Sequence, residues 1–318
     1  MSPEFAYLLG MITGKGSIKR NNKETEVSIE IPHKILEIEG METEVYVNAS
    51  ILDIKRILDP FLETTIEVNS QAHRTIFSFS KNNKSYVIRE LNKHFNNLSY
   101  CYDFRIPLQI FGESADIKKE FLRGIADVTG YIRKSNLHGY EIYGSLIYGH
   151  RVYIEIPVNW FLAIDISNLL KNLDIPVQNI NWGHPNTRDP NLKDYNKGKK
   201  EAWFREHQIK IYAEEFEKIG FNIIHKKKTL QNLANENRKN WDIYVTDKIN
   251  QTSSRKELWK ERLGRIDLMH HRYYWEINPK IKEKPVHPME NDKNIPKIIR
   301  GRHFNSWREI AEALGYKK

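Results

Sequence analysis

Two clusters of cationic side chains, Lys19, Arg20 and Lys23 and then Arg133, Lys134 and His138, follow glycine-containing runs at equivalent places in the chain. Side chains of these types beside one another can neutralise phosphates and donate hydrogen bonds to purine edges. One such cluster could merely keep a hairpin soluble. Recurrence at matched positions favours contacts to a polyanion on both sides of a central axis. A carboxylate inside the second run, Asp127, is the candidate for metal binding. Arg272 lies in a basic, aromatic stretch from Arg265 to Trp275 that suits a polyanion through counterion release and stacking. His270, His271, His287 and His303, with Glu290 and Asp292, match no metal-ligand spacing. No phosphate-binding loop, dinucleotide fingerprint or nucleophile elbow is present.

The elements that must position these groups come from an internal duplication. Leu8 to Gly16 returns 114 positions later as Leu122 to Gly130, each run pairing small residues at helical spacing with a terminal glycine. Gly10 with Gly14, and Gly124 with Ala126, leave one helix face without bulk for backbone-close packing. Gly16 and Gly130 are expected to end the helices where positive φ costs little. Val27 to Pro32 matches Val152 to Pro157, both alternating with the period of a half-buried strand. On these strands Ser28 and Tyr153 project with Glu26, Glu30 and Glu155, acids that sit poorly beside phosphates. Leu52 to Leu58 parallels Ile164 to Leu170 as a helix, with extra residues around His33 to Val45 in the first half and Asn136 to Gly149 in the second. Strand pairs follow, and each half closes on an amphipathic helix, 84–95 and 213–221.

The expected fold class is α+β: two pseudo-symmetric αββαββα repeats with antiparallel sheets, and a basic, mostly helical C-terminal extension. The expected divisions are 1–100, a linker 101–114, 115–225, and the extension 226–318. Within the extension, helices are expected at 229–238, 253–263 and 306–314, the last opened by a Ser306 and Glu309 capping box. Gly183 to Lys200 reads as a surface excursion between strands.

Composition agrees with a nucleic-acid partner. The 318 residues include 40% hydrophobic and 11% aromatic side chains, with a net charge of +9. Residues 251–318 hold 16 Lys and Arg against 9 Asp and Glu, so most of the excess lies there. No apolar run reaches the length of a membrane span and the first residues lack a signal-peptide pattern, so an intracellular protein is expected, cytoplasmic or, if intron-encoded, in an organellar matrix. The single cysteine, Cys101, excludes an internal disulfide and a cysteine-clustered zinc site and reads as a packing residue.

The two glycine runs, their spacing and the order of elements resemble the LAGLIDADG homing endonucleases in their single-chain, double-motif form, over roughly residues 4 to 225. The resemblance implies motif helices packed at the interface of the halves, and a saddle of strands that straddles duplex DNA. It also implies a carboxylate at the eighth motif position of each half, the pair holding divalent metal ions that activate water. Those positions here are Lys15 and Thr129. Asp127 stands at the sixth position, opposite Thr13, where the family role is architectural.

A monomeric, sequence-selective protein that binds double-stranded DNA is therefore expected, without a cofactor and with cleavage absent or atypical. The enzyme alternative is a Mg²⁺-dependent endonuclease that uses Asp127 or C-terminal carboxylates. A second alternative is an intron maturase that binds structured RNA. A scaffold whose basic tail docks an acidic protein is a third.

Overall fold

The computed structural model describes residues 1–134, 149–157, 159–185, 205–249, 298–299 and 302–303. The first repeat runs α1 (Pro3–Lys15), β1 (Gly16–Arg20), β2 (Glu24–Pro32), α2 (Thr43–Leu62), β3 (Glu67–Ser70), β4 (Arg74–Asn82) and α3 (Tyr86–Phe95). A short helix α4 (Leu108–Gly112) leads into the second: α5 (Ala115–Thr129), β5 (Gly130–Arg133), β6 (Arg151–Pro157), α6 (Trp160–Asn172), β7 (Asn179–Pro185), β8 (Arg205–Tyr212) and α7 (Ala213–Phe216). A long helix α8 (Ile224–Ile249) and two two-residue strands, β9 (Ile298–Ile299) and β10 (Arg302–His303), complete the described elements.

The two four-stranded sheets have the orders β1-β2-β4-β3 and β5-β6-β8-β7, antiparallel throughout. The duplication is thus an equivalence of topology as well as of motif. Alternation places Val27, Ile29 and Ile31 of β2, and Val152, Ile154 and Ile156 of β6, in the core under the helices. Even positions of β2 and odd positions of β6 therefore line the opposite faces.

The helices start where side chains can take up their free N–H groups. Ser2, Ser85, Ser114 and Asn159 each accept from the backbone N–H three residues on. Residues 5–14 of α1 are all buried, so this helix is apolar on every side and lies at the centre of the molecule. It crosses α5 backbone to backbone. A Cβ on Gly10 would overlap the Phe121 carbonyl oxygen, and one on Gly124 the Tyr7 carbonyl oxygen. At Gly14 it would lie 3.0 Å from Val128 Cγ2 and 3.1 Å from Thr129 Cγ2.

Gly16 and Gly130 differ from expectation. Their φ values are −94° and −103°, ordinary extended backbone. Glycine is needed there because the chain turns directly from helix to strand: a Cβ would meet Ile12 Cα at 2.6 Å or the Ala126 oxygen at 2.7 Å.

Other departures are local. The helix expected over 213–221 ends at Phe216, and the chain passes through Gly220 at φ +73°. The helix expected over 229–238 is part of the longer α8. The extra residues of the first half form a 3-10 turn, His33–Ile35, a connecting segment, 36–42, and the first residues of α2. The linker is tied to both halves. Ile18 N–H donates to the Ser99 carbonyl and Cys101 N–H to that of Gly16, while Asn159 donates to the Cys101 and Phe104 carbonyls. Arg105 clasps the fully buried Asp165 at 2.6 and 2.7 Å. Cys101 packs partly buried against the core, and burial pushes its thiol up to about 11. The expected excursion at 183–200 and hairpin tip at 136–149 lie largely, and the helices at 253–263 and 306–314 wholly, outside the described residues.

Gly10→Ala and Gly124→Ala test the crossing. Alanine at a solvated helix site would gain up to about 1 kcal/mol in helix propensity. Here each change is expected to lower stability by about 3 kcal/mol through overpacking, as measured by urea unfolding.

Candidate nucleic-acid interface

At the ends of the motif helices, Lys15 is half-buried at the last position of α1 and Thr129 is 1% exposed at the last position of α5. Thr129 Oγ1 donates to the Ile125 carbonyl at 2.7 Å, and its methyl group packs against Gly14. Thr13 makes the matching bond to the Leu9 carbonyl, also at 2.7 Å. Such back-bonding turns a buried hydroxyl into a packing group.

Asp127 is wholly buried. Its Oδ2 accepts from the Tyr7 hydroxyl at 2.8 Å and from the Asn222 backbone N–H at 3.1 Å, just ahead of α8. Lys226 of α8 is buried beside it. Its ammonium donates to the Ala126 and Asp127 carbonyls at 3.2 and 3.3 Å and lies 4.5 Å from the Phe221 ring centre. Burial raises the Asp127 carboxyl and lowers the Lys226 ammonium to about 8, the opposite charge of each partner opposing the shift. The Tyr7 phenol is driven well up by burial and then by Asp127. This network anchors α8 to the motif helices. On the first-repeat side, Asp53 Oδ2 accepts from Ile224 N–H at 2.8 Å. Further along α8, Asn237 bonds both backbone groups of His150 at the entry to β6.

The cationic residues named from the sequence divide. Lys19 and Lys23 are exposed, Lys134 is exposed, and Arg133 is half-buried. Lys19 and Arg133 lie on the sheet faces turned away from the helices, since Ile18 beside Lys19 enters the core. Arg20 is turned the other way. Its guanidinium donates to Asn92 Oδ1 at 2.9 Å and to the Leu98 carbonyl at 2.8 Å, so it joins β1 to α3 and the chain beyond. Burial lowers its pKa. The physical reason is strand parity: Arg20 shares the side of Ile18. His138 and Arg272 lie outside the described residues.

The face of the second sheet brings Arg133, named from the sequence, together with groups that the sequence did not single out as binding residues. Tyr131 and Tyr153 pair across β5 and β6 with ring centres 5.1 Å apart and planes within 1°. Arg133 lies over Tyr131 at 4.8 Å, Lys210 over Tyr153 at 5.5 Å, and Arg151 over Tyr212 at 5.6 Å. Glu155, the acid on this face, accepts from the Tyr131 hydroxyl at 2.7 Å and from Gln208 at 2.8 Å, and forms an ion pair with Lys34 of the first repeat at 2.9 Å. Alternation in β6 marks Arg151 and Tyr153 as sharing a side. Their neighbour Lys210 required the β6–β8 register. Among the described residues, no group of three or more His, Cys, Asp or Glu side chains is placed to hold a metal ion.

No family model matches the chain. No curated protein matches it either. Among solved structures it is similar to the homing endonuclease I-DmoI in complex with DNA and manganese, at 16% identity and TM-score 0.35, covering 73% of this chain and 96% of that one. It is similar to the LAGLIDADG meganuclease I-AabMI bound to uncleaved DNA, at 11% identity and TM-score 0.37, with 76% and 93% covered. It is also similar to full-length DUF199/WhiA from Thermatoga maritima, at 13% identity and TM-score 0.34, with 88% and 68% covered. At these scores the likenesses carry no weight of their own. The architecture rests on the motifs, topology and helix crossing of this chain.

The buried Lys226 makes a pH signature. Its folded pKa is lowered, so between about 8 and its ordinary value of 10.5 the unfolded chain binds more protons and the contribution to stability rises with pH. Wild type is therefore expected to show a more positive slope of unfolding free energy between pH 8 and 10 than Lys226→Met, measured by urea titration. Equal slopes would mean that Lys226 is not held partly neutral in the fold.

Proposed function

We propose that this chain is a monomeric, sequence-selective, double-stranded DNA-binding protein built on the two-repeat LAGLIDADG homing-endonuclease fold, with cleavage absent or atypical. The observation that carries the reading is the pair of glycine-packed motif helices, each continuing directly into the first strand of its own antiparallel sheet. That arrangement sets two sheet faces about one axis. Arg133, Arg151 and Lys210, half-buried on the second sheet, and the exposed Lys19 of the first are cations of the kind that neutralise phosphates.

The metal that the family implies is a hard divalent cation, which takes oxygen ligands. Lys15 offers an ammonium, and the Thr129 hydroxyl is engaged by its own helix. These residues do not fit the ion, which supports a binding role over the family's hydrolytic one. Asp127 supports the same choice, since its accessible surface is nil and its oxygen Oδ2 holds Tyr7 and the start of α8.

Purified protein is expected to bind duplex DNA with an affinity that falls linearly on a logarithmic scale of salt. It is expected to leave plasmid libraries uncut in Mg²⁺ or Mn²⁺. Efficient double-strand cleavage would overturn the reading, and stronger binding of structured RNA than of duplex at matched salt would turn it toward an RNA-binding maturase.

A further inference from the structure

The linker extends the first sheet beyond β1. Its bonds to Ile18 and Gly16 flank Ser17 and Tyr100, which therefore face each other as an antiparallel pair. Residues paired in this way project on the same side, and Ile18 and Cys101 pack toward the core, so Tyr100 stands with Ser17 on the face turned away from the helices. The register continues this row through Ser28 of β2 and Ser78 of β4 to Glu67 of β3. Tyr102 lies beside the same face. Glu30 and Arg74, themselves paired at 2.7 Å, act electrostatically on its phenol.

Tyr100 is 60% exposed and Tyr102 48%. Their hydroxyls, and those of Ser17, Ser28 and Ser78, make no hydrogen bond to another described residue. The tyrosines do not hang on a free loop, because Asn159 of the second repeat holds the carbonyls of Cys101 and Phe104 on either side of Tyr102. The face thus presents two rings and a row of uncharged hydroxyls at the junction of the repeats. The apolar centre of a protein interface is poor in serine. Phosphate oxygens, in contrast, accept from serine and tyrosine hydroxyls, and the sugars beside them offer apolar atoms to a ring.

We propose that the linker is a contact strand for nucleic acid, in which Tyr100 and Tyr102 meet the sugar-phosphate backbone of a bound duplex, the hydroxyls donating to phosphate oxygens and the rings covering sugar atoms. This rests on the DNA-binding reading above. Tyr86 serves as a matched control: it is 56% exposed, but on α3, where it packs near Phe5 on the helix side of the sheet. The full chain is nitrated with tetranitromethane, alone and with a saturating mixed-sequence duplex, and the modified peptides are identified by mass spectrometry. The duplex is expected to protect Tyr100 and Tyr102 and to leave Tyr86 reactive. Tyr100→Ala is expected to weaken duplex binding about tenfold without changing the slope of log K against log salt, since a neutral side chain releases no counterions; thermal unfolding checks that the variant is folded. Undiminished nitration of both tyrosines while the duplex is bound would overturn the inference, as would equal protection of Tyr86. Protection brought about by concentrating the protein alone would place a second copy of the chain on this face and also overturn it. A wild type that binds no duplex would instead remove the DNA-binding reading itself.

Discussion

The contact on which the rest of this structure depends is the crossing of α1 and α5. At Gly10 and Gly124 each helix places its backbone against a carbonyl of the other, leaving no room for a side chain. Atoms this close gain dispersion along the whole contact and exclude water, but they also fix where both helices end. Since each helix runs without a loop into the first strand of a sheet, the crossing sets the two sheets about a common axis. The linker, held by β1 on one side and by Asn159 and Asp165 on the other, keeps that relation.

Around this centre the chain has turned polar groups inward. Asp127, Tyr7 and Lys226 form a buried set that closes the crossing from the side of α8. Buried ionisable groups are costly to desolvate and persist when their bonds are satisfied together. Here the satisfied bonds join the start of α8 to the second repeat at Asp127 and to the first at Asp53. The first part of the C-terminal extension is therefore built into the core shared by the repeats. Thr13 and Thr129 complete the pattern, with hydroxyls bonded back to their own helices.

The repeats share a backbone and differ in what they display. Side chains facing the core are constrained by packing, so Val27, Ile29 and Ile31 have apolar equivalents in Val152, Ile154 and Ile156. Side chains on the other face do not follow one apolar pattern, although Tyr131, Glu155, Gln208 and Tyr212 of the second repeat are themselves buried. There serines stand opposite tyrosines, and Glu26 stands opposite Arg151. An approximate twofold axis in the backbone does not impose a twofold axis on the charge.

The duplication, the element order and the need for small residues at Gly10, Gly14 and Gly124 were legible in the chain, because helical and strand periodicity and missing side chains are local properties. The alternation of β2 and β6 likewise announced their two faces. Strand parity also existed in β1, yet the direction of Arg20 became evident only with Asn92 and Leu98 beside it. Lys34 on Glu155, Lys210 over Tyr153 and Lys226 beside Asp127 join residues distant in sequence, and no local pattern encodes such a meeting. The reason for Gly16 and Gly130 was likewise tertiary in kind: extended backbone folded against the preceding helical turn, where the obstacle is steric and φ is ordinary. Periodicity tells which side of an element is apolar, while the partner that a polar side chain finds depends on how elements far apart in the chain come together.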